Sequence, residues 1–226
     1  MKRHMTMVIL FVLLAGTVRA SEPETTFDFS GALWFNYSYQ DWKGGAQGKQ
    51  RGLNFDNLRL AVDGTHGENL IFSGQYRLYS YTRAIHHGWI GYRWADGNQV
   101  EMGITQVPFG LLPFATHSFW FGLGYYVGVE DDYDAGVKWH HDGGAWEFHL
   151  AYFLNEELND ATNLNRYSVD LVRSGEEQNE EVHQGNLRVG YTLGKGTENS
   201  SQFGVSGQYG GIDNLSTERT GDRWHA

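Results

Sequence analysis

Phe27 to Trp42 alternates with a period of two along its whole length. Phe27, Phe29, Leu33, Phe35, Tyr37 and Tyr39 take one face, and Asp28, Ser30, Asn36, Ser38 and Gln40 take the other, with Trp34 the exception. That period marks a strand rather than a helix. The run is about three times the usual strand length and long enough to cross a bilayer at a tilt. The pattern recurs in Phe55–Asp63 (Leu58, Leu60 and Val62 against Asn57, Arg59 and Asp63), Leu70–Tyr81, Ile85–Ala95 and Val100–Thr105. It returns in Tyr133–His140, Ala145–Leu154, Leu187–Leu193 and Gln202–Ile212, and Arg223–Ala226 begins another. Nine strands and the start of a tenth are therefore predicted, giving an all-β antiparallel fold. A soluble sandwich with Phe27–Trp42 as an edge strand is the alternative.

The connections sort by length. Those near Gly64, Asp96, Asp142 and Lys195 are short and glycine-rich, whereas Lys43–Gly52, Val107–Asp132 and Asn155–Gln184 are long. Only the turn at Thr82-Arg83 breaks the alternation. Short turns at one end and long loops at the other mark a transmembrane β-barrel, and a soluble meander has no reason to sort its loops. Aromatic residues near strand ends (Phe27, Phe29, Tyr37, Tyr39, Trp94, Trp139 and Trp146) fit interfacial girdles. The connection after Val100–Thr105 breaks at Pro108-Phe109-Gly110 and carries seven aromatics from Phe109 to Tyr126. So long a loop is functional or disordered, and its aromatics argue against disorder. It is expected to fold inside the barrel as a constriction, with Pro108, Phe109, Gly110, Phe114, Trp120, Glu130, Asp131 and Asp132 as its defining residues.

Composition agrees. The chain has 30 Gly, 13 Phe, 13 Tyr and 8 Trp but three Pro and no Cys, which suits many strands joined by turns. Mean hydropathy is −0.49, and no helix-length apolar run follows the N-terminus, which excludes a helical membrane protein but not a barrel. Lys2-Arg3-His4, the apolar stretch Met7–Ala15 and Val18-Arg19-Ala20 read as a secretory signal peptide over residues 1–20, cleaved before Ser21. Its removal takes away Lys2, Arg3 and Arg19 and no acid, so the formal charge falls from −10 to −13. That argues against nucleic acid as a partner.

If the apolar faces meet lipid, the opposite faces enclose a lumen. Arg59, Arg77, Arg93, Lys138 and Arg188 lie there on five strands, with Asp63, Glu101, Asp134 and Glu147 as the inward acids. Most of the other acids, notably Glu176, Glu177, Glu180 and Glu181, fall in external loops. Charged walls of this kind select permeating ions; the alternative is that the basic residues only pair with the inward acids. His86-His87 and His140-His141 are sequence neighbours, and strand neighbours face opposite ways, so neither pair is expected to close on a metal. Ser118 with His117 and a nearby acid is the one conceivable hydrolase arrangement, but no nucleophile-elbow signature accompanies it, and no phosphate-binding glycine loop or other cofactor motif is present.

Phe55-Asp56-Asn57-Leu58-Arg59-Leu60-Ala61-Val62-Asp63-Gly64, Gly74-Gln75-Tyr76-Arg77 and Met102-Gly103-Ile104-Thr105-Gln106-Val107-Pro108-Phe109-Gly110 resemble stretches of phosphate-selective porin O/P-like proteins. The last resembles the lead into that family's constriction loop, and the resemblance spans roughly Phe55 to Glu156. It implies a sixteen-stranded, homotrimeric diffusion channel of the Gram-negative outer membrane. With a tenth strand that only begins at Trp224-His225-Ala226, residues 21–226 read as the N-terminal part of such a barrel, and a complete ten-stranded barrel with a stunted last strand is the alternative. The resemblance implies small hydrophilic solutes, anions among them, as cargo. The chain departs from the pattern in having few lysines and acidic loops. A non-conducting structural or adhesive barrel is the competing expectation.

Overall fold

The computed structural model describes residues 24–38, 52–94, 96–113, 122–126, 128–158, 165–168 and 179–226. The signal peptide, Phe114, His117, Ser118, Trp120, Glu176 and Glu177 lie outside them. Ten strands follow in order: β1 (Thr25–Ser38), β2 (Gly52–His66), β3 (Leu70–Tyr79), β4 (Arg83–Trp94), β5 (Asn98–Gln106), β6 (Tyr133–Gly143), β7 (Trp146–Glu156), β8 (Asn179–Leu193), β9 (Ser201–Asn214) and β10 (Arg219–His225). One helical turn, α1 (Leu123–Tyr126), interrupts the connection between β5 and β6. Among the described residues no helix is long and apolar enough to cross a membrane.

The strands form one antiparallel sheet in sequence order, an up-and-down meander whose edges β1 and β10 do not pair with each other. The tenth strand is longer than its sequence shows: a tight turn at 215–218 leads straight into Arg219–His225. β8 likewise begins eight residues before its apolar alternation, because Asn179–Gln184 carries a single apolar residue, Val182, and a bulge interrupts it between Val182 and Gly185. Glu180 and Glu181, expected in an external loop, are strand residues as a result.

Burial is inverted relative to a water-soluble sheet. The apolar face is open: Phe29 is 77 % exposed, Leu60 54 % and Val205 74 %. Among the described residues no second sheet covers it. The polar face is the covered one, with Asp134 1 % and Arg188 2 % exposed. It is also concave. The amide N–H of Gly110, four residues past the end of β5, donates to Ser206 Oγ on β9 at 3.1 Å. In a flat sheet the paired registers would hold Ser206 roughly 30 Å from Gln106, four strand spacings across and seven residues along. Four residues reach at most ~14 Å. The sheet must therefore curl toward its polar side into a trough.

Two glycines show how backbone chemistry shapes the trough. Gly64 lies on the apolar face, where a Cβ would strike the Phe72 ring at 2.2 Å; its bareness lets Phe27 and Phe72 pack with centroids 5.4 Å apart. That pair belongs to a belt of outward rings at the short-turn rim, continued by Tyr92–Trp94, Trp139–His141, Trp146–Phe148 and Trp146–Tyr191. Gly103 has φ +134°, and a Cβ there would lie 2.4 Å from Gly88 O. In an extended strand Glu101 and Thr105 stand ~13 Å apart, yet Thr105 Oγ1 donates to Glu101 Oε2. The bend at Gly103 makes that contact possible. Gly103→Ala is expected to destabilise the fold by about 1–3 kcal/mol, read as a lower midpoint in urea unfolding followed by tryptophan fluorescence.

Candidate functional site: the charged trough

Each predicted wall residue lies on the polar face, but their surroundings divide them into three groups. Arg59 and Arg77 are register neighbours on β2 and β3. Arg59 Nε donates to Asn57 Oδ1 at 3.3 Å, and its guanidinium lies 4.4 Å from the centre of the Trp34 ring. Trp34, the one break in the first alternating run, is thus a platform for an inward arginine. Arg77 Nε donates to Gln75 Oε1 at 2.6 Å, Nη1 to Tyr79 OH at 3.4 Å, and the guanidinium stacks 4.4 Å over Tyr167. These partners are all neutral, and neither arginine forms a carboxylate ion pair among the described residues.

Lys138 and Arg188 are ion-paired. Lys138 Nζ lies 3.0 Å from Glu101 Oε2, and Glu101 also accepts from Gln99 Nε2 at 2.7 Å. Arg188 Nη1 lies 3.0 Å from Glu147 Oε1. Glu147 further bonds His149 Nε2 at 2.5 Å and accepts from Gln202 Nε2 at 3.1 Å. Arg93 stands apart near the short-turn rim, exposed, its backbone tied to Asn69.

The start of the long connection lies inside the trough. Val107 and Pro108 are buried, and Val107 packs with Ala151 and Phe153 on the polar side of β7. Val107 N–H donates to Asp132 O at 2.9 Å, closing the two ends of the connection on each other. Lys138 Nζ donates to Gln106 O at 3.2 Å, and Arg188 Nε to Gly110 O at 2.8 Å. Phe109 meets the His225 ring with centroids 6.0 Å apart.

The return of the connection fills the opposite flank with aromatic rings. Tyr125, Tyr133 and Tyr167 pack with Ala84, and Tyr133 and Tyr167 sandwich His86 at centroid distances of 4.2 and 4.3 Å. Tyr125 OH donates to Tyr167 O, and Tyr167 OH donates to Asp131 Oδ2. Ser168 accepts from Tyr133 N–H at 2.9 Å, and its own N–H donates to Glu157 Oε1 at 2.7 Å. Glu130 sits beside this cluster, half-buried. Tyr167 and Ser168 carry no sequence signal: they sit in a polar connection without periodicity.

His86 and His87 correct the expectation that strand neighbours face apart. A bulge opposite Gln75 and Tyr76 turns both rings into the trough, where their Nδ1 atoms lie 2.7 Å apart. His87 Nε2 lies 2.9 Å from Ser73 Oγ, which donates to Asp63 Oδ1 at 2.5 Å. His140 and His141 do face apart: His140 stacks on His149 inside, and His141 on Trp139 outside.

An acidic group lies at the long-connection end of β6–β8. Asp132, Asp134 and Glu181 bring one carboxylate oxygen each within 4.8 Å of one another. An oxygen set of that kind suits a hard cation. The sequence alone points to no such group, because one of its members, Glu181, lies in the bulged start of β8, far from Asp132 and Asp134 in the chain. Gln184 Nε2 donates to Asp134 Oδ2 at 3.2 Å, and Arg223 of β10 pairs with Glu181. Arg166 lies 3.6 Å from Glu156 and 3.9 Å from Glu157. A scan against protein-family models and searches of curated proteins and solved structures give no match to this chain.

Burial pushes the Asp131 carboxyl above the ordinary carboxylate range, against the opposing pull of the Tyr167 hydroxyl and Arg77. A carboxyl whose pKa is raised on folding costs stability above that folded pKa and costs nothing below the unfolded one. Asp131 holds φ 54°, a left-handed conformation that Asn also tolerates. Asp131→Asn is therefore expected to be more stable than the wild type at neutral pH. The difference should vanish as pH falls through the normal carboxylate range, measured by unfolding midpoints across that window.

Proposed function

We propose that this chain builds the wall of a porin-like channel in an outer membrane and passes small hydrophilic solutes by diffusion, with a preference for anions. One observation carries the reading: most large apolar residues of the ten-stranded sheet occupy the open convex face, and most charged residues of its strands occupy the covered concave one. In water so large an apolar surface would be an aggregation hazard; against hydrocarbon it is the ordinary exterior of a barrel. The ring belt at the short-turn rim supports the same placement, since amphipathic rings favour the membrane interface. In hydrocarbon the free edges of β1 and β10 would each leave unsatisfied backbone groups at several kcal/mol apiece, so the reading requires strands that cover both.

Arg59 and Arg77 support the anion preference. Two adjacent guanidinium groups whose hydrogen-bond and ring partners among the described residues are neutral keep their charge available to a passing oxyanion, and Arg matches planar or tetrahedral oxyanions in a bidentate way. The packed tyrosines around His86 and the in-folded strap favour the second reading, a structural barrel plugged by its own side chains. Conductance in planar bilayers separates them. Discrete open-channel steps from the wild type, with a reversal potential favouring anions, are expected. Arg77→Glu should move that reversal potential toward cations. Absence of steps would sink the channel reading, and an unmoved reversal potential would remove Arg77 from the solute path.

A further inference from the structure

We propose that Lys138 and Arg188 do not contact solute but clamp the strap 107–113 across the trough, and that the Arg188 clamp sets the aperture it leaves. The aperture part rests on the channel reading; the clamp does not. The two cations hold main-chain carbonyls on either side of the strap's start: Lys138 Nζ takes the carbonyl of Gln106, the last residue of β5 and the root of the strap, at 3.2 Å, and Arg188 Nε takes the carbonyl of Gly110 within the strap at 2.8 Å. Each is fixed behind by a wall carboxylate, Glu101 at 3.0 Å and Glu147 at 3.0 Å. Charge-assisted bonds to carbonyl oxygen are the stronger kind, and here each donor is also held by a carboxylate on the wall. Ser206 completes the grip by accepting the Gly110 N–H at 3.1 Å. Gly110 is thus bound through both its backbone groups, to two different strands.

The geometry also explains why the strap stays down. It carries Val107 and Pro108 into the trough wall, but Gly110 itself is exposed, so its docking depends on the polar grip rather than on burial. Nothing in the sequence distinguishes Arg188 from Arg59; both are inward arginines on long strands. What separates them is the partner each one meets.

The test compares deuterium uptake over residues 107–113 in the full chain carrying Glu147→Gln with Arg188→Met, which removes both charges of the buried pair together. Uptake in the strap about tenfold faster than wild type, equivalent to ~1.4 kcal/mol, with β7–β9 still protected, is the expected result. Unchanged uptake in the strap overturns the clamp. If β7–β9 lose protection, Ser206→Ala decides instead: faster exchange at the Gly110 amide supports the grip, and an unchanged amide refutes it. In planar bilayers the double variant should give larger, noisier steps than the wild type. A silent wild type would count against the channel reading, while the exchange data would still judge the clamp.

Discussion

A charge taken out of water must find its compensation inside the molecule, and that constraint organises the concave face. An unpaired buried ion costs several kcal/mol, and a pair returns that cost only with good geometry and further hydrogen bonds. Glu101 and Glu147 meet the condition by gathering donors. Glu101 takes Lys138, Gln99 and Thr105, and Glu147 takes Arg188, His149 and Gln202. Each carboxylate ties neighbouring strands together on the inner face. The backbone at Gly103, the curl of the sheet and the seating of the strap each bring such groups within reach of one another.

The two flanks of the trough use different solutions. On β2 and β3 the arginines lie over aromatic faces and donate to amide and phenol oxygens. Cation–π contact and neutral acceptors hold a guanidinium without cancelling its charge. On β6 to β8, at the long-connection end, carboxylates outnumber the arginines that pair with them, and Arg166 and Arg223 each serve that group. Asp131, Tyr167 and Arg77 lie between, as a chain of hydrogen bond and ring contact. The basic pair and the acidic group are thus linked through Tyr167 and Asp131, and the field around them is a property of both flanks.

Loop chemistry decides how far that space is filled. Val107 and Asp132 join in a single backbone bond, so everything between them is excursion. Its first part crosses beneath β7 to β9, and its last part packs against β3, β4 and β6 around His86. Of its aromatic residues that the structure describes, Phe109 packs against the Val107 cluster and His225, and Tyr125 against Ala84, Tyr133 and Tyr167, while Tyr126 stays exposed.

Much of this was legible before any coordinates. Period two along β1 to β7 and β9 marks the strands, their order and which side is greasy, because side-chain direction in a strand follows from position alone. The inward placement of Arg59, Arg77, Lys138 and Arg188 follows from the same parity, as does the split of His140 from His141. Where parity fails, only the folded sheet could decide. The bulge at His86 turns two neighbours the same way, and the bulge in β8 hides a strand inside a polar run and brings Glu181 onto the trough wall. Tyr167, Ser168 and Arg166 come from a connection without any pattern. Above all, alternation tells that a charge points inward but not what it meets there. Whether an arginine is clamped to a carbonyl or left over a ring depends on curvature and on the path of a loop, which are set by contacts between residues far apart in the chain.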